Sequence, residues 1–170
     1  MKQTQKDRFV DAWGQMGSLW GLNTSMARVH ALLIVSEDPL SLDAIAHRLQ
    51  ISRGNASMCL KELRNWGVVR RVKVRGDRRD YYLTEPEVWK MFFAIARERK
   101  RRELDPVLAA LRELLGTLPQ GASGQAVKRL KEMKDLLATL DAVASQVLAQ
   151  EENARSALAF LAGGATRKKT

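Results

Sequence analysis

The sequence predicts a mostly α-helical protein with one small β-hairpin, in which a helix-turn-helix core is flanked by long helices at both ends. Three observations predict it. Apolar residues recur at helical spacing through most of the 170 residues. The period changes clearly at Val68 to Val74, where the β-branched run VVRRVKV is followed by RGDRRD and the pair Tyr81 and Tyr82, the pattern of a hairpin with a basic tip. Between Arg48 and Asp80 the polar positions are strongly basic, with ten Lys and Arg against three carboxylates, so +7 of the chain's net +10 sits in one short stretch.

Taken in order, Phe9, Trp13, Met16 and Trp20 share one helical face, which predicts an amphipathic helix from about Asp7 to Trp20, ended by Gly21. A second helix starts at Thr24 or Ser25, either of which can cap it, and turns Val29, Leu32 and Leu33 inward until Asp38 and Pro39 stop it. Ser41 caps a short helix containing Ala44, Ile45 and Leu49. Ser52 caps the next, containing Ala56, Leu60 and Leu63, with Ile51 in the turn between and Gly67 at its end. After the hairpin, Thr84 and Glu87 have capping-box spacing with Pro86 in the first turn, and Val88, Met91, Phe92, Ile95 and Ala96 supply the buried side of the helix that follows. Asp105 and Pro106 predict a kink or restart, with Asp105 as the new cap. LPQGASG, from Leu118 to Gly124, is a linker. Val127, Leu130, Leu137, Leu140, Val143 or Ala144, and Val147 then mark a long helix with a continuous apolar seam, and Gly163 and Gly164 end a shorter apolar segment before a frayed RKKT tail.

Composition narrows the function classes. At 19.1 kDa the chain has room for one ordinary domain, or a small domain with a helical extension. A pI of about 10.2 favours polyanionic partners, nucleic acid first and anionic membrane second. No apolar run reaches the roughly 18 to 20 residues that span a bilayer, and the first residues lack a signal-type apolar stretch, so a cytoplasmic location and no membrane partner are expected. Cys59 alone supports neither an intramolecular disulfide nor a cysteine-based zinc cage. No nucleophile–base set, P-loop or dinucleotide glycine pattern occurs, so the chain is expected not to be an enzyme and to need no cofactor.

A helix pair joined by a tight turn can seat its second helix in the major groove. With Ala56, Leu60 and Leu63 toward the core, Arg53, Asn55, Ser57, Met58 and Lys61 face outward or lie at the margin, and these become the candidate base readers. Arg pairs with guanine, Asn with adenine, and Met touches the thymine methyl. Ser52 and Arg64 are candidates for the phosphate backbone, Ser52 because it also stands at the positive end of a helix dipole. Arg75, Arg78 and Arg79 on the hairpin tip suit an adjacent minor groove, with Asp77 expected to orient one of its arginine neighbours; a solvated turn is the duller reading.

From Asp7 to about Val107 the chain resembles the GbsR subgroup of MarR-type winged-helix regulators, in FVDAWGQMGSLWGL, ISRGNASMCLKELRNWGVV, the GDRRDYY wing and WKMFFAIARERKRRELDPV. The resemblance implies a winged helix-turn-helix repressor of transcription that binds double-stranded DNA as a homodimer, with Ser52 to Lys61 as recognition helix and Gly76 to Arg79 as wing. Helices from both ends of each chain would form the dimer interface. The expected division is therefore an N-terminal dimerisation helix over 1–23, a winged DNA-binding domain over 24–85 and a C-terminal helical dimerisation region over 86–170. Some relatives respond to choline or glycine betaine, which makes a small-molecule effector a candidate partner.

Dimerisation has independent support, because the apolar faces of residues 9 to 20 and 127 to 148 are too extensive for so small a domain to cover alone. If an aromatic cage for a cationic effector exists, Trp20 and Trp89 are its first candidates, set against ordinary packing. Cys59 reads as a small buried hydrophobe rather than an oxidant sensor, and His30 and His47 lack partners at metal-ligand spacing. The run RERKRRE, Arg97 to Glu103, fits either DNA flanks or a solvated face of Arg and Glu pairs three to four apart. Two other function classes use the same features: a nucleoid-associated or RNA-binding winged helix without sequence choice, and an adaptor that recruits another protein through the C-terminal seam.

Overall fold

The computed structural model describes residues 1–19, 21–153 and 155–157 and divides into two compact units that meet between Met91 and Phe92. The first unit contains α1 (Gln3–Leu19), α2 (Thr24–Ile34), β1 (Leu40–Ser41), α3 (Leu42–Leu49), α4 (Arg53–Asn65), β2 (Val69–Lys73) and β3 (Asp80–Thr84). Helix α5 (Val88–Arg99) crosses the boundary. A π-helical turn (Lys100–Leu104), α6 (Asp105–Gly116) and α7 (Gln125–Ala149) belong to the second unit. The fold is that of a winged helix: mostly helical, with a small antiparallel sheet.

Short-range signals define the centre of the first unit. The Ser41 hydroxyl accepts the amide of Ala44 at 3.3 Å and caps α3, and Ser52 accepts that of Asn55 at 3.1 Å and caps α4. At the end of α4 Gly67 takes φ 76° and the amide of Val68 reaches back to the Leu63 carbonyl at 3.1 Å, a Schellman closure that sends the chain straight into β2. The same closure ends α3, where the amide of Ile51 bonds to the Ala46 carbonyl at 3.0 Å. There the left-handed position belongs to Gln50, φ 54°, which tightens the turn between the two helices without a glycine. Val29, Leu33, Ile45, Leu60, Leu63 and Val68 are fully buried around this turn.

The sheet has three strands rather than the expected two. β2 and β3 form the hairpin, Val69 opposite Thr84 and Lys73 opposite Asp80, and β1 pairs on the far side of β3, Leu40 with Tyr82 and Ser41 with Tyr81. A two-residue strand has no periodicity of its own. Thr84, expected as a helix cap, is instead the last residue of β3, and its hydroxyl donates to the Val68 carbonyl at 3.2 Å. That leaves its oxygen free to accept from Nε2 of the buried His30, 3.4 Å away. Burial lowers the pKa of His30 to about 4, which keeps the ring neutral.

At the N-terminus, α1 begins four residues earlier than expected, and its most buried line is Val10, Gly14 and Gly17, not the aromatic face. Phe9, Trp13 and Met16 are half-buried, and Trp20 lies outside the described residues. The reason is close approach to α2: a methyl at Gly17 would stand 2.5 Å from Cβ of Ala27, and one at Gly14 would stand 2.6 Å from Cγ of Arg28. The cap of α2 is Asn23, whose side chain accepts the amide of Met26 at 3.1 Å, so neither Thr24 nor Ser25 has that role. Helix α1 is part of the first unit, Met1 to Met91.

In the second unit Phe93, Leu108 and Leu111 are buried; Phe92, and Val88 at the first-unit end of α5, were both expected inside and are largely exposed. The irregularity expected near Pro106 is the π-helical turn. Asp105 makes no side-chain cap; its carboxylate instead accepts from Lys100 Nζ at 2.7 Å, and the same ammonium reaches Asp141 of α7 at 2.7 Å. The basic run is a paired face, with Glu98 held by Arg101 and Arg102, Arg99 by Glu103, and Arg97 by Glu151. Helix α7 buries no residue fully, and Met133, Leu136, Leu140, Val143 and Val147 lie exposed along it at alternating spacings of three and four. Gly163, Gly164 and the tail lie outside the described residues.

Candidate nucleic-acid interface

Helix α4 separates its two sides cleanly. Ala56, Cys59, Leu60 and Leu63 are buried; Arg53, Ser57, Lys61 and Arg64 form one exposed stripe at offsets 0, 4, 8 and 11, with Met58 exposed beside it. The helix starts at the exposed Ser52, so its positive end opens to solvent.

The five expected base readers are placed differently. Ser57, Met58 and Lys61 are exposed on α4. Arg53 is exposed as well, but its Nε lies 3.0 Å from Asp43 Oδ1, an ion pair that ties the start of α4 to the first turn of α3. Asn55 is half-buried and turned toward α2: its Nδ2 donates to the Ser25 hydroxyl at 3.2 Å and its Oδ1 accepts from Cys59 Sγ at 3.4 Å. Ser25 and Asp43 were not anticipated, because these contacts join segments that share no local pattern. Cys59 is buried, and burial raises its thiol pKa, which keeps it in the unreactive form.

On the hairpin, carboxylates neutralise the arms and leave the tip basic. Asp80 pairs with Lys73 at 2.6 Å and Arg71 at 3.2 Å, and both contacts hold its pKa below the usual range, Lys73 most. Gly76, φ 85°, lies in the turn closed by the Asp77 amide on the Val74 carbonyl at 3.1 Å. Asp77 orients an arginine as expected, and the arginine is Arg79. Its Nε donates to Oδ1 at 3.1 Å and Oδ2 at 2.9 Å, and its Nη2 to Oδ2 at 2.5 Å. These bonds hold the Asp77 carboxyl far below its ordinary range and raise the Arg79 guanidinium further. The side chains of Arg75 and Arg78 are exposed and have no partner among the described residues.

Tyr81 completes the cluster and was missed from sequence. Its hydroxyl accepts from Arg79 Nη2 at 2.9 Å and donates to Asp77 Oδ2 at 2.8 Å. A signal was present in Asp77 two residues before Arg79, the spacing at which an Asp side chain accepts the backbone amide two positions on, here at 2.8 Å, with Tyr81 two residues further in β3.

Among the described residues no group of three or more His, Cys, Asp or Glu is placed to hold a metal ion, and no helix is long and apolar enough to cross a membrane. Of the candidate cage, Trp89 is half-buried near the start of α5, and Trp20 is outside the described residues.

Comparison with known proteins agrees with this geometry. A sequence model of the MarR family matches residues 20–80. The chain is 34% identical over 119 residues to the HTH-type transcriptional regulator MmpR5 of Mycobacterium tuberculosis, covering 69% of this chain and 68% of that one. It is 24% identical over 108 residues to the HTH-type transcriptional repressor GbsR of Bacillus subtilis, covering 64% and 59%. A crystal structure described as a transcriptional regulator superposes with a TM-score of 0.69 at 29% identity, over 88% of this chain and 99% of that one.

Proposed function

The chain belongs to the MarR family of winged-helix transcriptional regulators, and on that premise we propose that it is a cytoplasmic, homodimeric repressor that reads a pseudo-palindromic operator and releases it when a small-molecule inducer binds. The kinship we infer within the family is with the GbsR subgroup, on the motifs from Asp7 to Val107. The observation that carries the DNA-reading role is the sorting of charge: Lys61 and Arg64 on α4 and Arg75 and Arg78 on the hairpin tip have no ion-pair partner among the described residues, while Asp43, Asp77 and Asp80 are bound to Arg53, to Arg79, and to Arg71 with Lys73.

In this reading Ser57, Met58 and Lys61 meet base edges in the major groove. Arg53 and Asn55 join them by exchanging Asp43, and Ser25 with Cys59, for bases. Ser52 and Arg64 contact phosphate, and Arg75, Arg78 and Arg79 enter the neighbouring minor groove, where the potential is most negative. The exposed row on α7 supports the second copy, since a large uncovered apolar surface is seldom left on a soluble monomer. Two recognition helices of such a dimer would stand roughly 34 to 36 Å apart, in successive major grooves.

Binding-site selection followed by salt titration tests the proposal. Lys61→Ala and Ser57→Ala should relax preference among operator variants, whereas Arg75→Ala and Arg78→Ala should weaken all sequences alike and reduce the salt slope by about one each. A preference of at least ~10³ for the selected duplex over random duplex is expected of a regulator. A ratio near unity would instead favour a nucleoid or RNA-binding protein.

A further inference from the structure

We propose that Tyr81 is a positioning residue for DNA binding, whose hydroxyl closes a three-membered cycle with Asp77 and Arg79 and so presents one edge of the Arg79 guanidinium to the minor groove. The inference rests on the wing reading above.

A guanidinium is planar, with five donors in a fixed fork. In Arg79 the Nε and Nη2 edge is consumed by Asp77 and Tyr81, and Nη1 has no partner among the described residues. An Asp–Arg pair alone on an exposed turn can swivel about the carboxylate, because either oxygen serves either nitrogen. The phenol removes that freedom. Its oxygen accepts from Nη2 at 2.9 Å and its proton goes to Asp77 Oδ2 at 2.8 Å, so each member is fixed by the other two. The guanidinium carbon also lies 5.5 Å from the centroid of the Tyr81 ring.

The anchor is stiff because of where it comes from. Tyr81 is in β3, the middle strand, paired with Ser41 on one side and Val72 on the other, so the hydroxyl is held by the sheet rather than by the hairpin tip. The hydrogen bond to Asp77 raises the phenol's pKa, which keeps the donated proton in place. Arg75 and Arg78 have no comparable support. Arg79 is therefore ordered before DNA arrives, and the rotamer freedom an arginine usually loses on binding is already gone.

Tyr81→Phe keeps the ring and deletes only the hydroxyl, so it separates positioning from packing. The probe is the duplex recovered by selection from a random pool with the full-length protein, and affinity is measured for wild type, Tyr81→Phe, Arg79→Ala and the double variant. We expect Tyr81→Phe to weaken binding about threefold to tenfold, the range of one hydrogen bond, with an unchanged melting temperature, and to add nothing in the Arg79→Ala background. An unchanged affinity, or an equal loss in both backgrounds, overturns the proposal while leaving the wing reading standing. If Arg79→Ala itself binds like wild type, both fall.

Discussion

Replacing Gly17 with alanine tests whether close approach, rather than the aromatic face, seats α1 on α2. The added methyl would lie 2.5 Å from Cβ of Ala27 and 3.8 Å from Cβ of Leu22. Carbon atoms rest at about 3.5 to 4.0 Å, so the first contact is short by roughly 1 Å or more. Neither methyl can rotate away, since each is fixed to its own helix, and the clash is relieved only by moving α1. Overpacking costs ~1 to 3 kcal/mol, and a contact this short belongs in the upper half of that range, ~2 to 3 kcal/mol, against which alanine recovers ~1 kcal/mol of helix propensity. The net expectation is a loss of about 1 to 2 kcal/mol, or roughly 2 to 8 °C in melting temperature for a chain of this size. Thermal unfolding at one fixed protein concentration measures it. Ala27→Gly is the matching control: in the double variant the two methyls no longer meet, so the pair should couple by about 1 kcal/mol or more. A neutral or stabilised Gly17→Ala, or a strictly additive pair, would refute the reasoning.

Two further outcomes follow from single residues. Gln50→Gly should stabilise the protein by up to ~1 kcal/mol, since it removes the left-handed penalty at φ 54° while glycine's looser unfolded state takes part of the gain back; a destabilised variant in urea melts would contradict the strain. His30 should make folding acid-sensitive. Its folded pKa of about 4 lies below the ordinary 6.5, so the unfolded chain takes up the proton first; the stability is whole above about pH 6.5 and falls by ~3 kcal/mol as the pH drops to about 4. His30→Gln should flatten that part of the pH–stability curve, and a curve of the same slope would assign it to other groups.

What was legible in the sequence was local. Ser41, Ser52 and Gly67 act through residues three to five positions away, and all three sit where capping chemistry predicts. The hairpin likewise declared itself through one change of period. What stayed hidden depended on residues distant in sequence. β1 exists only because Leu40 and Ser41 find Tyr82 and Tyr81. Asn23, Thr24 and Ser25 are all able caps, and the choice among them is made by where α2 begins. The buried line of α1 was misjudged because aromatic residues signal burial more loudly than glycines do, whereas here the glycines mark the contact. Among the candidate base readers, helical phase placed Ser57, Met58 and Lys61 outward but could not reveal that Asn55 reaches Ser25, thirty residues earlier.

The exposed row on α7, from Met133 to Val147, has a thermodynamic corollary. If a second copy covers it, part of each protomer's folding free energy is supplied by association, and that part varies with the logarithm of protein concentration. Dilution then does more than separate subunits: it lowers the stability of each. Abundance in the cell would set not only how many operators are occupied but how firmly the protein that occupies them is folded, so a loss at this helix would be felt first when the regulator is scarce.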